Sequence, residues 1–271
     1  MRIFTAVLVT FVFCAACSPF SKVLKSNDYD YKLRMADKYY ASKDYTHAQE
    51  LYEELFRVFK GNEHFEGIYY NFAYCAYNLK DYPNAENLFK GFVEVFPNSN
   101  KAEEMDYMRA FTFYKQSPQV NLDQTNTTKT IGFMQAFINT HPGSDKIKEA
   151  NGIIDKCRAK LELKDFQNAQ LYYDLGYFKA AGVACSSLMN SYPDSQSSDE
   201  YKFLIIRADY QYALQSVDEK KEERFEMVIT QCNDFIDRFP DSRLNKSVQE
   251  YLSVSQNNIK TLKNEQAKKA S

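Results

Sequence analysis

The chain has 271 residues, 44% hydrophobic and 26% charged, which is enough to bury a sizeable core. A formal net charge of −2 excludes the strongly basic surface of a nucleic-acid binder or of a protein held on acidic lipid by charge. Only 8 Gly and 7 Pro argue against Gly-rich nucleotide loops and suit helices, while 21 Tyr and 21 Phe with no Trp supply wide side chains for packing between helical layers.

The amino terminus reads as an export signal. Met1-Arg2 is followed by a mostly apolar run from Ile3 to Phe13 and then by small residues, Cys14-Ala15-Ala16-Cys17-Ser18. The run is too short to span a bilayer, which takes roughly 20 apolar residues. Ala15-Ala16-Cys17 is similar to a bacterial lipobox, with Cys14 where that motif usually has Leu. This predicts a signal peptide over residues 1–16, a lipidated Cys17, and a tether over residues 17–27. Several acyl chains on Cys17 would anchor the protein stably, since one chain alone is marginal. Ser18, rather than Asp, resembles the lipoproteins passed on to the outer membrane. An ordinary cleaved signal with an incidental cysteine is the competing reading.

Helical hairpins follow. The first is predicted from Asp28 to Lys60, turning at Ser42-Lys43-Asp44, and the second from Glu63 to Phe96. In the second, Ala85, Leu88, Phe89 and Phe92 recur at spacings of three and four, Pro83 suits a first turn, and Pro97 ends the helix. Ser99 is placed to cap the helix that follows. A third hairpin opens with Lys101 to Lys115 and is interrupted by a polar insertion from Gln116 to Thr125. No Gly or Pro falls between Ile153 and Leu175, which predicts one long helix there. Ser197 to Ser216 and Lys220 to Phe239 form the last hairpin, joined by the charged run Asp218 to Arg224, which reads as a solvated turn and helix start or as a partner contact. Leu244 to Leu262 is a polar helix of the kind that caps a solenoid. Asn264 to Ser271 is expected to be disordered. The solenoid as a whole is assigned to residues 28–263, with halves at 28–142 and 143–263.

The hairpins are copies of one another. Pro97-Asn98-Ser99, Pro142-Gly143-Ser144, Pro193-Asp194-Ser195 and Pro240-Asp241-Ser242 share the pattern P-x-S. Five residues before each proline stand Phe92, Phe137, Leu188 and Phe235; eight before stand Phe89, Met134, Cys185 and Cys232. A degenerate first copy ends at Lys60, with Phe59, Leu55 and Tyr52 in the matching slots. Such self-similarity decides the architecture: an all-α solenoid of about five hairpins plus a C-terminal capping helix.

The stretches Tyr39-Tyr40-Ala41-Ser42-Lys43-Asp44-Tyr45-x-x-Ala48 and Ala76-Tyr77-Asn78-Leu79-Lys80-Asp81-Tyr82-x-x-Ala85 resemble the tetratricopeptide repeat (TPR), which implies a right-handed TPR-like solenoid. The insertion carries a sharper likeness. Ser117-Pro118-x-x-x-Leu122-Asp123-Gln124-Thr125-x-Thr127, with Phe133, Phe137, Pro142 and Ser144 after it, is similar to the BamD family of outer-membrane assembly lipoproteins. So is Cys157-Arg158-x-Lys160-Leu161-x-x-Lys164-x-Phe166-x-x-Ala169-x-x-Tyr172-Tyr173. The resemblance implies a non-catalytic scaffold, lipid-anchored on the periplasmic face of the outer membrane. It would bind the periplasmic domains of the barrel insertase BamA and unfolded outer-membrane protein precursors, with no nucleic acid as partner. Another periplasmic TPR lipoprotein, scaffolding envelope or peptidoglycan machinery, is the alternative.

In TPR stacks the first helix of each pair lines the groove. That phasing implies a peptide-binding groove of Leu33, Asp37, Tyr40, Tyr70, Tyr74, Tyr77 and Asn78, and tyrosine suits such a role through its apolar area and hydroxyl. The same rings could instead merely pack between helices. The amino-terminal groove is expected to take the aromatic-ended carboxyl segment of barrel precursors, and the carboxyl-terminal half to hold the BamA-like subunit. No enzyme, cofactor or metal is expected. His47, His64 and His141 form no HxxxH or HExxH pair. Carboxylate pairs such as Glu103-Glu104 read as helix N-terminal charge. Cys75, Cys157, Cys185 and Cys232 read as buried thiols, although an oxidising compartment would permit disulfides.

Overall fold

The computed structural model describes residues 19–270, so the signal peptide and Cys17 lie outside the described residues. Helices follow one another without a strand among these residues: α1 (Pro19–Leu24), α2 (Tyr29–Ala41), α3 (Tyr45–Val58), α4 (Phe65–Asn78), α5 (Tyr82–Val95), α6 (Ala102–Lys115), α7 (Thr125–Thr140), α8 (Ile147–Asp174), α9 (Phe178–Ser191), α10 (Ser198–Leu214), α11 (Asp218–Arg238) and α12 (Asn245–Ala270). From α2 to α11 they pair into five hairpins, and α12 follows as a single helix. The fold is the expected all-α, TPR-like solenoid. The chain divides into two compact units, 1–157 and 158–271.

The repeated slots are the core. Phe89, Met134, Cys185 and Cys232 are each fully buried, and Phe92, Phe137, Leu188 and Phe235 are within a few per cent of it. Tyr52 and Leu55 fill the same slots in the first hairpin. Ala36, Ala48, Ala73 and Ala85 have no exposed surface, so the helices meet at their smallest side chains. The residue before the P-x-S proline stacks back on the slot one turn earlier, with ring centroids 5.1 Å apart for Phe92–Phe96, 5.0 Å for Phe137–His141 and 5.2 Å for Phe235–Phe239. Close approach also fixes Gly91, where any side chain would collide with the buried Tyr69 hydroxyl.

Two connectors recur. Inside the first, second and fourth hairpins, Lys43, Lys80 and Gly176 take left-handed backbone, at φ 62°, 63° and 80°. The next N–H then reaches back five residues, from Asp44 to Tyr39 O, Asp81 to Ala76 O and Tyr177 to Tyr172 O, each at 2.9–3.0 Å. This Schellman ending satisfies carbonyls that the helix leaves open. Between hairpins, the P-x-S serine does not serve as the N-cap predicted for Ser99: α6 begins at Ala102, behind Lys101. The Ser99, Ser144, Ser195 and Ser242 hydroxyls instead accept from the N–H two residues on, at 3.0–3.1 Å, closing a small turn before each helix.

Three boundaries differ from the sequence expectation. Residues 19–24 are not a tether but helix α1, whose Val23 is 2% exposed within the first core cluster. The carboxyl end is helical to Ala270 rather than disordered from Asn264, because Glu265, Gln266, Ala267 and Lys268 are all good helix formers and no Gly or Pro interrupts them. The units divide within α8, not at residues 142/143. Ala150, Ile153, Ile154 and Cys157 pack with Tyr107, Met134 and Phe137, whereas Phe166, Ala169 and Tyr173 pack with Cys185 and Leu204.

Truncating Phe92 to alanine should cost about 3–5 kcal/mol, the usual loss for a buried phenylalanine, read as a shift in denaturant midpoint with unchanged slope. Lys80→Gly should stabilise by about 0.5–1 kcal/mol, since an L-residue pays roughly 1–2 kcal/mol in this conformation and glycine loses part of that gain in chain entropy. A lower melting temperature for Lys80→Gly would contradict the assignment of strain to this turn.

Candidate functional site

In the first unit the first helices of successive hairpins present a polar, aromatic face. Tyr52, from α3, donates to the Asp37 carboxylate at 2.6 Å, and the Asn71 amide donates to Tyr52 Oη at 3.0 Å. One repeat further on, the hydroxyls of Tyr70 and Tyr74 both donate to Glu104. The Tyr70 and Tyr74 rings stand 4.8 Å apart, and Lys101 Nζ lies 4.6 Å over the Tyr70 ring. Tyr77 continues the row toward Phe111, 6.4 Å away, while the Asn78 amide donates to the Tyr74 carbonyl at 2.7 Å. Tyr40 packs beside Tyr45 and Tyr52.

Burial pushes the Tyr40 phenol well above the usual tyrosine range, with Tyr70 and Cys75 adding to it. Burial also raises Tyr74, reinforced by its bond to Glu104. These phenols therefore stay protonated donors at physiological pH. Six of the seven sequence-predicted positions belong to this network. Leu33 does not; it packs against the core cluster formed by Val23, Ala36 and Leu51. Asn71, Lys101 and Glu104 complete the face, with the buried Tyr52 behind it, and none of the four was expected there. The signal for two of them is the repeat period: Asp37 to Asn71 and Tyr70 to Glu104 are both 34 residues apart.

The insertion before α7 is organised by a buried glutamine. Gln124 Nε2 donates to the carbonyls of Gln119 at 2.7 Å and Leu122 at 3.0 Å, and its Oε1 accepts from Thr127 Oγ1 at 2.6 Å.

The second unit offers a different surface. A shallow apolar recess of about 750 Å³ is lined by Tyr172, Tyr177, Phe178, Val183 and Tyr212 among others. Leu175, Tyr177, Val183 and Val217 are each 58–64% exposed, an accumulation that marks interaction surfaces rather than ordinary monomer exterior. Next to it, Asp209, Arg224 and Met227 line a second recess. Arg224 lies 4.0 Å over the Tyr212 ring and donates to Ser216. Within the charged run, Lys220 pairs with Glu223 at 2.8 Å and Lys221 with Asp218 at 2.9 Å, so much of it is a helix start neutralised by its own pairs.

The sequence model of the YfiO family, described as an outer membrane lipoprotein, matches residues 31–225. The chain belongs to this family. No curated protein matches it. Among solved structures, the TPR2AB-domain:pHSP90-complex of yeast Sti1 is similar at 17% identity, covering 86% of this chain and 84% of that one with a TM-score of 0.41; so slight a likeness carries no inference. The YfiO match opens inside α2 and closes inside α11, leaving α1 and α12 outside it.

Among the described residues no group of three or more His, Cys, Asp or Glu side chains is placed to hold a metal ion. No described helix is long and apolar enough to cross a membrane. Cys75, Cys185 and Cys232 are buried thiols whose pKa burial pushes up to about 12, the opposite of an activated nucleophile. Cys157 is buried in the third core cluster.

Asp209 is the exception to this electrostatic quiet. Burial raises its carboxyl from 3.8 to about 6, only partly opposed by Lys202. The folded state then holds more protons than the unfolded state between about pH 4 and 6, so stability should fall as pH rises through that window. Asp209→Asn should abolish this slope and raise stability at neutral pH by on the order of 2 kcal/mol. Denaturant titrations at pH 4, 6 and 8 would show it, and an unchanged slope in the variant would assign the titration elsewhere.

Proposed function

We propose that this YfiO-family chain is a non-catalytic scaffold of the outer-membrane β-barrel assembly machinery. Membership of an outer-membrane lipoprotein family is the observation that carries this reading. Acylation of Cys17 anchors the chain on the periplasmic face of the outer membrane. The tyrosine face of α2, α4 and α6 takes the aromatic-ended carboxyl segments of unfolded barrel precursors. The half-buried rings of Tyr70 and Tyr74, already held in place by Glu104, lose little freedom on binding, and their edges and faces suit an aromatic side chain. The apolar recess between Tyr172 and Tyr212 is the docking surface for the folded periplasmic domains of a BamA-like insertase, because folded partners bury contiguous apolar area. No cofactor takes part.

Affinity purification from membranes tests the reading as a whole. A barrel protein with periplasmic domains should co-purify; its absence, with other envelope proteins in its place, would make the chain a scaffold for different machinery. Tyr74→Ala with Tyr77→Ala should weaken binding of precursor carboxyl-terminal peptides at least about tenfold, the scale of losing two aromatic anchors, while the insertase still co-purifies. Tyr177→Ala with Val183→Ser should do the reverse. Loss of the same partner from both variants would mean that the two surfaces are not separate sites.

A further inference from the structure

The two-turn helix α1 lies outside the segment matched to the family, and nothing in the scaffold reading uses it. It is nevertheless packed. Phe20, Val23 and Leu24, at helical spacings of three and four, turn to the first core cluster. The Phe20 ring stands 4.0 Å from His47 and 5.6 Å from Tyr39. Tyr39 lies in the last turn of α2 and His47 in the first turn of α3, so α1 is seated at the turn end of the first hairpin. The connection from α1 to α2 has no slack: Lys25 N–H donates to Ser21 O, Ser26 N–H to Val23 O, Asp28 N–H to Ser26 Oγ, and Tyr31 N–H to Asp28 Oδ1.

Only two residue steps separate Cys17 from Pro19, the first residue of α1. Even fully extended chain covers no more than about 7 Å over that distance. Acylation of Cys17, as proposed above, would therefore put the acyl group within that reach of the amino end of α1. The other end of α3 is far away, since its 14 residues extend about 21 Å. Lys22 on α1, Lys25 just after it and Lys43 at the hairpin turn are exposed, and an ammonium group is the side chain that phosphate-bearing headgroups accept at a membrane surface.

We propose that α1 is an anchor clasp. It fastens the acylated amino terminus to the first hairpin, and the turn end of that hairpin, with Lys22, Lys25 and Lys43, rests on phospholipid headgroups. The inference builds on the acylation of Cys17 proposed above and adds an orientation to it. A long flexible leader would let the whole chain tumble beneath the membrane, whereas the clasp presents one fixed end to the bilayer and directs α3 away from it.

The test uses the full-length acylated protein in vesicles of phosphatidylethanolamine and phosphatidylglycerol carrying a nitroxide-headgroup lipid. A fluorophore is attached at Thr46→Cys, next to His47, or at Glu63→Cys, beyond the far end of α3. Both positions are exposed, and Cys75, Cys157, Cys185 and Cys232 are buried. Strong quenching at position 46 and little at position 63 is expected. The difference should vanish in Phe20→Ala/Val23→Ala, and also when a flexible Gly-Ser spacer is inserted between Ser18 and Pro19, which leaves every contact of α1 intact. Equal quenching at the two positions in the unmodified acylated chain would overturn the clasp, as would a difference that survives the spacer. Absence of acyl mass on Cys17 would instead overturn the anchoring on which it rests, and the clasp with it.

Discussion

A single hairpin of this chain cannot bury the side chains it presents. Phe89 and Phe92 are shielded only when α5 lies against α4 and α6, and the same holds for Met134 and Phe137 on α7, or Cys232 and Phe235 on α11. Burial of one slot is supplied by the next copy, so stability comes from the interfaces between neighbours as much as from any helix. The slot tolerates Phe, Met, Leu and Cys because what it demands is apolar volume. The alanines at Ala36, Ala48, Ala73 and Ala85 are fully buried, so a larger side chain there would have to displace its neighbours.

The connectors convert this packing into a register. Left-handed residues inside the first, second and fourth hairpins, and serine-closed turns after the second to the fifth, end one helix and start the next with few residues between. Equivalent positions of consecutive copies thus come side by side. The first unit uses that register for polar contacts, as Asp37 meets Asn71 and Tyr70 meets Glu104. The second uses related spacings at the connectors, where Ser242 donates to Asp199 at 2.7 Å and Arg243 to Glu200 at 2.7 Å. Buried lysines obey a within-hairpin version of the rule: Lys32 reaches Glu54 at 2.6 Å, and Lys202 reaches Asp234. Each charge is compensated by the second helix of its own hairpin, which limits the cost of burying it.

The two units spend their aromatic side chains differently. In the first, Tyr70 and Tyr74 are half-buried and their hydroxyls are committed to Glu104, which fixes the rings and leaves their edges and faces for contact. In the second, Tyr172 and Tyr177 stand in the open beside Leu175 and Val183. A preorganised polar-aromatic face favours an extended, adaptable ligand, and a broad apolar recess favours a partner that brings its own folded surface. Helix α8 contributes to both cores through different stretches of its 28 residues, and no Gly or Pro interrupts it between Ile153 and its end.

The sequence by itself determined what depends on local spacing. The P-x-S marks and the apolar slots five and eight residues before each proline specified helical hairpins and their number, because amphipathic period and helix breakers act within one or two turns. It also placed Tyr70, Tyr74 and Tyr77 on one helix face. Only the tertiary structure decided which side chains meet across copies. Glu104 reads as an ordinary N-terminal carboxylate until Tyr70 and Tyr74 are brought onto it, and Leu33, read as a groove residue, is half-buried against the first core, as Tyr40 is. Gln124 is merely polar until a closed loop surrounds it, and Asp209 is an unremarkable acid until α10 packs beside α9 and α11. Helix α1 was invisible for a related reason. Six residues carry too little periodicity to signal a helix that forms because Phe20 and Val23 find a surface to bury against.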